Sequence, residues 1–314
     1  MISKNNDIII DPSDPLIQFY QKQPGFYKNI PEPAYFSGNA VSSSLLNEFR
    51  KSPAHARAFL NRTEDSGRAK HFTLGSAIHA AVLEPDRFKE EFKVPVQCSA
   101  ETGSGDQCSR TGSYFINDEW FCGTHIKSQE GEIKDVNSLS SSDYKTCIEI
   151  QQAVRKNEYA YALLNQKGNN IAEGSIVWND KTTDLICKGR IDFYNEESGI
   201  IVDLKSTFDA SINSFKKSMS QYGYYRQLAF YREGLKTLNY KVNDIYIIAV
   251  EKAPPYNLQI IKLKEDLVDK GWKEMHKAIV EYHEETKSGT WKGYPEQVIE
   301  LSASDFEEEI LTAY

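Results

Sequence analysis

Several features of common protein classes are missing from this chain. Its 314 residues include five cysteines, an odd and unevenly spread set that argues against a disulfide scaffold and for reduced thiols or metal ligation. No apolar run reaches the roughly eighteen residues that a membrane span needs, and the first residues lack the basic start and apolar stretch of a signal peptide. No Gly-x-x-x-x-Gly-Lys-Ser/Thr run occurs, so any nucleotide-driven motor would be another chain. We therefore expect a soluble, cytoplasmic protein with no membrane partner.

Basic residues are also in short supply. Lys and Arg number 37 against 45 Asp and Glu, giving a net charge of −8, which counts against proteins that hold nucleic acid mainly by neutralising phosphates. Residues 50–70 carry six Lys and Arg against two Asp and Glu, whereas residues 296–314 carry six Asp and Glu and no Lys or Arg. Each run fits the solvated surface of a helix. The alternative is that the basic run forms a face where DNA enters and that the acidic run is a separate tail.

Two β-rich runs each carry a carboxylate. Asp192 lies in Gly189–Phe193, and Asp203 lies in Ile201–Thr207 together with Lys205. Residues two apart on a strand project from the same face, so Asp203 and Lys205 should lie side by side. Buried charges are rarely kept without a partner or a metal. The pattern therefore predicts a hydrolytic metal site, and a simple buried Asp–Lys ion pair is the alternative.

Further polar residues complete an ordered set around these strands. His79 lies in the helix-like segment Leu74–Leu83, Glu173 precedes an apolar run, and Gln227 and Tyr231 are four apart on one helical face. The order His, Glu, Asp, Asp-x-Lys, Gln-x-x-x-Tyr resembles the PD-(D/E)XK nuclease superfamily and, within it, the branch of RecE (exonuclease VIII) and its phage relatives. The likeness extends to four further segments: Tyr35–Ser44, Ser52–His55, Leu74–Pro85 and Trp291–Pro295.

This resemblance implies an α/β fold with a restriction-endonuclease-like core, in which a central mixed sheet is flanked by helices. It implies Mg²⁺ or Mn²⁺ as the catalytic cofactor, since carboxylate oxygens suit these ions. The implied metal ligands are His79, Asp192, Asp203 and the carbonyl of Leu204. Lys205 would position the attacking water or stabilise its developing charge. Glu173 would complete the metal environment, and Gln227 and Tyr231 would support the site.

The implied activity is a metal-dependent exonuclease that acts on free ends of double-stranded DNA and leaves single-stranded overhangs for phage-type recombination. Relatives of this type form toroidal tetramers, so a homo-oligomeric ring is expected, with a single-strand annealing protein as a partner. Two other functions stay open. One is an endonuclease or a nuclease subunit of a helicase or defence complex. The other is a catalytically idle module that binds DNA or protein.

A Gly-rich insertion is the second informative feature. Cys98, Cys108, Cys122 and His125 offer three thiolates and an imidazole, a typical tetrahedral zinc set, in a segment with too few apolar residues to fold alone. The arrangement resembles small Cys3His knuckles, and three unrelated cysteines in a loop are the alternative. The last third of the chain contains no cysteine, which favours zinc over the iron–sulfur clusters of some related nucleases.

The predicted organisation is an extended, Pro-rich arm over residues 1–36, a nuclease domain over 37–96 and 132–314, and the zinc module over 97–131. Tyr222, Tyr224 and Tyr225 form an aromatic cluster that either stacks on unpaired bases or packs internally. A turn is expected at Asn195–Gly199 and strands at Ile245–Val250 and Leu258–Leu263. Helices are expected after the run Ser42–Ser44, from Ser52 and Pro53, around His79, and over three longer segments: Ser142–Leu164, Tyr222–Leu238 and Glu265–Lys287.

Overall fold

A mixed sheet of eight strands lies at the centre of the molecule. The computed structural model describes residues 7–9, 23–28, 30–36, 40–61, 74–131, 133–134 and 136–302. Over these ranges the strands are β1 (Asp7–Ile9), β2 (Gly25–Lys28), β3 (Val41–Ser42), β4 (Phe92–Lys93), β5 (Tyr114–Ile116), β6 (Glu119–Phe121), β7 (Ile133–Lys134), β8 (Asn137–Ser138), β9 (Asn170–Asn179), β10 (Ile186–Asn195), β11 (Ile200–Thr207), β12 (Asp244–Glu251) and β13 (Leu258–Lys262). The central sheet has the order β1-β2-β9-β10-β11-β12-β13, and β3 pairs with β10.

Helices cover both faces of this sheet. Over the same ranges they are α1 (Glu32–Phe36), α2 (Ser43–Lys51), α3 (Pro53–Leu60), α4 (Leu74–Leu83), α5 (Pro85–Glu91), α6 (Ser141–Lys156), α7 (Glu158–Leu164), α8 (Ile212–Tyr222), α9 (Tyr224–Thr237) and α10 (Glu265–Ser288). None of them is both long enough and apolar enough to cross a bilayer. The expected class, α/β with a central mixed sheet flanked by helices, is confirmed.

The hydrophobic core is split between the two faces by strand alternation. Ile201 and Ile247 belong to a cluster with residues of α2, α9 and α10, whereas Leu204 and Ile248 belong to a second cluster with residues of α4, α5 and α6. Successive strand residues point to opposite faces, so each buried strand supplies both layers. The consequence is that β10 and β11 are held rigidly between helices, which is a firm base for polar side chains.

The N-terminal segment departs from the predicted extended arm over residues 1–36. Gly25–Lys28 forms strand β2, which pairs with both β1 and β9, and Glu32–Phe36 forms helix α1. Phe26 and Tyr27 are almost fully buried, and burial of these two aromatic rings explains why a Pro-rich segment is ordered here. Residues 1–6, 10–22 and 29 of the predicted arm lie outside the described residues.

The segment between α5 and α6 forms a small separate sheet. Strands β5, β6 and β7 pair antiparallel, and Cys98, Cys108 and Cys122 belong to a compact cluster with Ile116 and Phe121. The sheet includes Lys134 and so continues past the boundary predicted at residue 131. The basic stretch predicted over residues 50–70 is described only in part, since residues 62–73, like residues 303–314 of the acidic tail, lie outside the described ranges.

Candidate functional site

The site begins where β10 and β11 separate. Their antiparallel ladder runs from the pair of Asn195 and Ile200 to the pair of Phe193 and Val202, and it ends before Asp192. Beyond that point the amide of Leu204 donates instead to Asp192 Oδ2 at 2.9 Å. A carboxylate therefore takes the place of a main-chain acceptor, which fixes Asp192 at the opening between the strands.

His79, Glu173 and Asp192 form a cluster of possible metal ligands. Their ligand atoms all lie within 4.8 Å of one another. His79 Nδ1 is 3.5 Å from Asp192 Oδ2 and 3.7 Å from Glu173 Oε1. Burial favours the neutral imidazole, but Asp192 and the hydrogen bond to Glu173 raise the pKa of His79 to about 8. The pKa of His79 therefore favours the imidazolium form at neutral pH, held between the two carboxylates.

Glu173 is held in a strained backbone conformation. Its φ is +50°, a left-handed value that residues other than glycine rarely adopt. It lies within strand β9, between the paired residues Ala172 and Gly174, opposite Asp192 on β10. Such strain costs on the order of 1–3 kcal/mol and persists only where the surrounding structure imposes it. The conformation directs the Glu173 carboxylate to the cluster formed with His79 and Asp192.

Asp203 and Lys205 form a buried ion pair beside this cluster. Lys205 Nζ is 2.8 Å from Asp203 Oδ1, as the two-residue spacing predicted. Asp203 is 1% exposed, and its second oxygen, Oδ2, is buried with no hydrogen-bond partner among the described residues. Burial raises the pKa of Asp203 to about 6, which Lys205 opposes and Asp192 reinforces. Burial alone would lower the pKa of Lys205, but Asp203 and Asp192 raise it, so the ammonium form persists.

The donor set fits a divalent cation. An unsatisfied buried carboxylate oxygen is costly, and a cation would satisfy it. Asp203 lies outside the compact cluster of His79, Glu173 and Asp192, although its charge interacts with His79 and Asp192. Carboxylate oxygens with one imidazole are a ligand set suited to Mg²⁺ or Mn²⁺. The Leu204 amide donates to Asp192 at the site. That the Leu204 carbonyl is a metal ligand stays a prediction.

Gln227 and Tyr231 lie one helical turn apart on α9 and contact each other. Gln227 Nε2 donates to Tyr231 Oη at 2.8 Å. Tyr231 is buried, and burial together with the charge of Asp192 raises its pKa, so the phenol stays protonated. Its ring lies against Gly189 of β10, where a Cβ atom would come within 2.6 Å of the ring. The pair therefore connects α9 to the strand that carries Asp192.

A cavity of about 440 Å³ contains His79, Glu173 and Asp192 in its wall. Three cations that the sequence reasoning missed also line it: Arg87, Lys188 and Arg190. Lys188 and Arg190 precede Asp192 by four and two residues on β10. Because alternate residues of a strand point to the same face, this spacing predicts that all three lie on one face. The centre of the Tyr35 ring is 4.8 Å from Lys188 Nζ and 4.5 Å from Arg190 Cζ. Positive charge therefore lines the same cavity as the carboxylates.

Cys98, Cys108, Cys122 and His125 come together as the sequence predicted. Their ligand atoms all lie within 4.8 Å of one another, and His125 Nδ1 is 3.4 Å from Cys98 Sγ and 3.6 Å from Cys122 Sγ. The three thiols are buried. The amides of His125 and Thr124, together with the neighbouring thiols, outweigh burial and lower the pKa of Cys122 to about 6. A ready thiolate in a buried set of three sulfurs and one nitrogen fits zinc.

One of two similar solved structures shares this fold over most of its length. A putative exonuclease from Eubacterium rectale is 17% identical, with a TM-score of 0.51 over 90% of this chain and 98% of its own. A phage related exonuclease from Haemophilus somnus is 19% identical, with a TM-score of 0.24 over 33% of this chain and 57% of its own. No curated protein sequence matches the chain. The model of the PDDEXK-like domain of unknown function (DUF3799) matches residues 42–300, and the chain belongs to that family.

Proposed function

We propose that the protein is a divalent-metal-dependent nuclease that hydrolyses phosphodiester bonds in DNA. The observation that carries this proposal is the position of the buried Asp203–Lys205 pair beside the cluster of His79, Glu173 and Asp192. The PDDEXK-like family assignment and the fold shared with a putative exonuclease support it. The carboxylates supply the oxygen ligands that a divalent cation needs. The cations that line the cavity would attract an anionic substrate.

His79, Glu173, Asp192 and Asp203 would hold Mg²⁺ or Mn²⁺, with the Leu204 carbonyl as a further ligand. When bound, the cation neutralises the scissile phosphate and acidifies the attacking water. Lys205 keeps its proton because Asp203 and Asp192 stabilise the ammonium. One Lys205 N–H is directed to Asp203. The ammonium has two further N–H groups, which would donate to the attacking water or to a phosphate oxygen.

Gln227 and Tyr231 act by position. Burial and the charge of Asp192 raise the pKa of Tyr231, so the phenol keeps its proton and serves as a hydrogen-bonding group. Its contact with Gly189 fixes the distance between α9 and β10, and its hydrogen bond orients the Gln227 amide at the cavity wall. We assign these two residues the role of holding the carboxylates in register with Lys205.

The specific activity that we propose is an exonuclease of the RecE type acting on free duplex ends. Single-stranded overhangs would be its product, and a single-strand annealing protein would be the partner that uses them. The competing function is an endonuclease or a nuclease subunit of a larger complex. Linear and covalently closed circular duplexes separate the two, because only an endonuclease cuts a circle that has no end.

The test of hydrolysis compares Asp203→Asn with Asp86→Asn. The substitution Asp203→Asn keeps the shape of the side chain and its ability to accept the Lys205 hydrogen bond. It removes a charge from the donor set, so cleavage should fall by at least about a hundredfold. Asp86 is an exposed carboxylate on α5, and its variant should cleave as the parent does. Release of nucleotides from labelled linear duplex is measured with Mg²⁺ or Mn²⁺, and melting curves check folding. Full activity of Asp203→Asn, or hydrolysis in excess EDTA, would rule out the proposal.

We also propose a structural zinc ion at Cys98, Cys108, Cys122 and His125. The buried thiols and the lowered pKa of Cys122 support it. A zinc ion with four protein ligands has no open position, so this site would stabilise the small sheet and take no part in hydrolysis. Elemental analysis of protein purified without added metal should find about one zinc per chain.

A further inference from the structure

Three aromatic rings form a stack next to Lys205. The Tyr222 and Tyr224 ring centres are 5.7 Å apart with an interplanar angle of 22°, and Phe215 stacks on Tyr224 at 5.9 Å and 30°. Lys205 Nζ lies 5.2 Å from the centre of the Tyr224 ring. Phe215 is fully buried and Tyr224 is half-buried, whereas Tyr222 is 57% exposed. The stack therefore runs from the core, past the lysine, to an aromatic ring at the surface.

Gly223 makes this arrangement possible. Residues i and i+2 of a continuous helix point in different directions and cannot stack. Gly223 has a φ of +73°, which ends α8 and starts α9, and the break brings Tyr222 and Tyr224 face to face. A Cβ atom at this position would also lie 2.6 Å from the Arg226 guanidinium. The local backbone thus places two tyrosines in a geometry that helix formation alone would not give.

The stack continues the active-site face of α9. Tyr224, Gln227 and Tyr231 are spaced three and four residues apart, so they lie on one side of the helix. The charge of Asp192 raises the pKa of Tyr231, Gln227 lines the cavity, and Tyr224 lies against Lys205. Tyr222 is the last residue of α8, just before this row, and its exposure places it at the outer edge of the site.

We propose that Tyr222 is the stacking platform for an unpaired nucleobase of the DNA strand whose phosphate lies at Lys205. This inference rests on the proposed nuclease function and names the form of substrate that the site takes. A base inside a duplex has both faces covered by its neighbours, so only a terminal or separated base offers a face to Tyr222. Stacking on tyrosine tolerates every sequence, because each base has a π-face.

Tyr225, the third member of the predicted aromatic cluster, has a different role. It is buried, and its hydroxyl donates to Glu274 in a network that includes Arg226. Tyr225 therefore packs internally, which is one of the two alternatives predicted for the aromatic cluster. The stacking role falls to Tyr222, with Tyr224 as the ring beneath it.

The test is a coupling measurement between one protein ring and one base. The 314-residue chain and its Tyr222→Ala and Tyr222→Phe variants are titrated, in EDTA to prevent hydrolysis, with a fluorescent single-stranded oligonucleotide of about eight nucleotides. The titration is repeated with oligonucleotides that carry one abasic site at successive positions. Tyr159→Ala, which removes a 74% exposed tyrosine from α7, is the matched control.

We expect Tyr222→Ala to weaken binding by roughly tenfold, the usual size of effect for losing one base-stacking ring. Tyr222→Phe and Tyr159→Ala should bind as the parent does. When the abasic site replaces the base that stacks on Tyr222, Tyr222→Ala should no longer weaken binding, because the ring of the parent has no base to contact. Equal effects of Tyr222→Ala and Tyr159→Ala, coupling at no position, or no oligonucleotide binding by the parent would each overturn the inference.

This result is separable from that for the nuclease function. If the parent hydrolyses DNA in an Asp203-dependent manner but shows no coupling at Tyr222, the stacking platform fails and the nuclease stands. If coupling is observed but the parent does not hydrolyse DNA with any divalent metal, the nuclease fails and the protein binds unpaired strands only.

Discussion

At the scale of single residues, Gly189 shows how closely the site is packed. It lies on β10 three residues before Asp192, and its missing side chain admits the ring of Tyr231. Tyr231 in turn holds Gln227 by a 2.8 Å hydrogen bond. A methyl group at residue 189 would push this ring out, because buried packing leaves no free volume to receive it.

We therefore predict that Gly189→Ala lowers the free energy of unfolding by about 1–3 kcal/mol. Hydrolysis should fall as well, since the displaced Tyr231 no longer fixes α9 against the carboxylate strand. Gly293→Ala is the matched control, because a Cβ atom there would meet nothing within 4 Å. Urea unfolding curves of the two variants measure the difference. Equal stabilities would mean that Tyr231 has room to move and does not set the geometry.

The residues of the site were accessible to sequence reasoning to different degrees. The contact of Asp203 with Lys205 follows from strand geometry alone, and the two are 2.8 Å apart. The meeting of His79 with Glu173 and Asp192 depends on how α4 packs over the sheet, and only the family resemblance anticipated it. The left-handed backbone of Glu173 has no signal in the sequence, because surrounding contacts impose it.

At the scale of elements, the small sheet around Cys98 is the part that depends most on a metal. Its cluster holds a few apolar side chains beside three buried thiols, too little apolar surface to order a Gly-rich segment. The central sheet has two large clusters of its own and does not share this dependence. Losing the metal should therefore unfold one element and leave the rest.

We predict that Cys108→Ser loses zinc and exposes residues 97–131 to proteolysis while the central domain stays folded. Cys147→Ser is the control, because Cys147 is a core residue of α6 itself, where burial raises its pKa to about 12 and keeps it a thiol. Elemental analysis and limited proteolysis are the measurements. A Cys108→Ser protein that retains zinc, or one that unfolds throughout, would contradict this assignment.

Most element positions could be predicted, and the exceptions have local causes. Serine caps at Ser42 and Ser52 fixed two helix starts as expected. The helix expected over Ser142–Leu164 is two helices, since Asn157 is extended and caps the second. The helix expected from Tyr222 begins at Tyr224, because Gly223 interrupts the helical backbone there. Helix α8, which precedes it, was not predicted. Strand β2 was missed because the prolines around it indicate irregular structure.

At the scale of the whole molecule, charge is the property that most restricts function. The chain carries a net charge of −8, so single-chain contacts should hold duplex DNA weakly. Arg87, Lys188 and Arg190 all line one cavity, so we expect them to contact the reacting strand and not the length of a duplex. An enzyme of this kind needs another means of staying on its substrate. Enclosure of the DNA by several subunits would replace the missing affinity, because dissociation then requires passage off an end.

We predict that the protein assembles into a closed ring and degrades linear duplex processively from its ends. Light scattering at micromolar concentration should give a mass several times that of one chain. Linear DNA should be digested, whereas covalently closed circles should stay intact because no end can enter the ring. Added salt should shorten each digestion run only slightly, since enclosure is not an ionic contact. A strict monomer that cuts closed circles would instead make the protein an endonuclease or a subunit held on DNA by a larger complex.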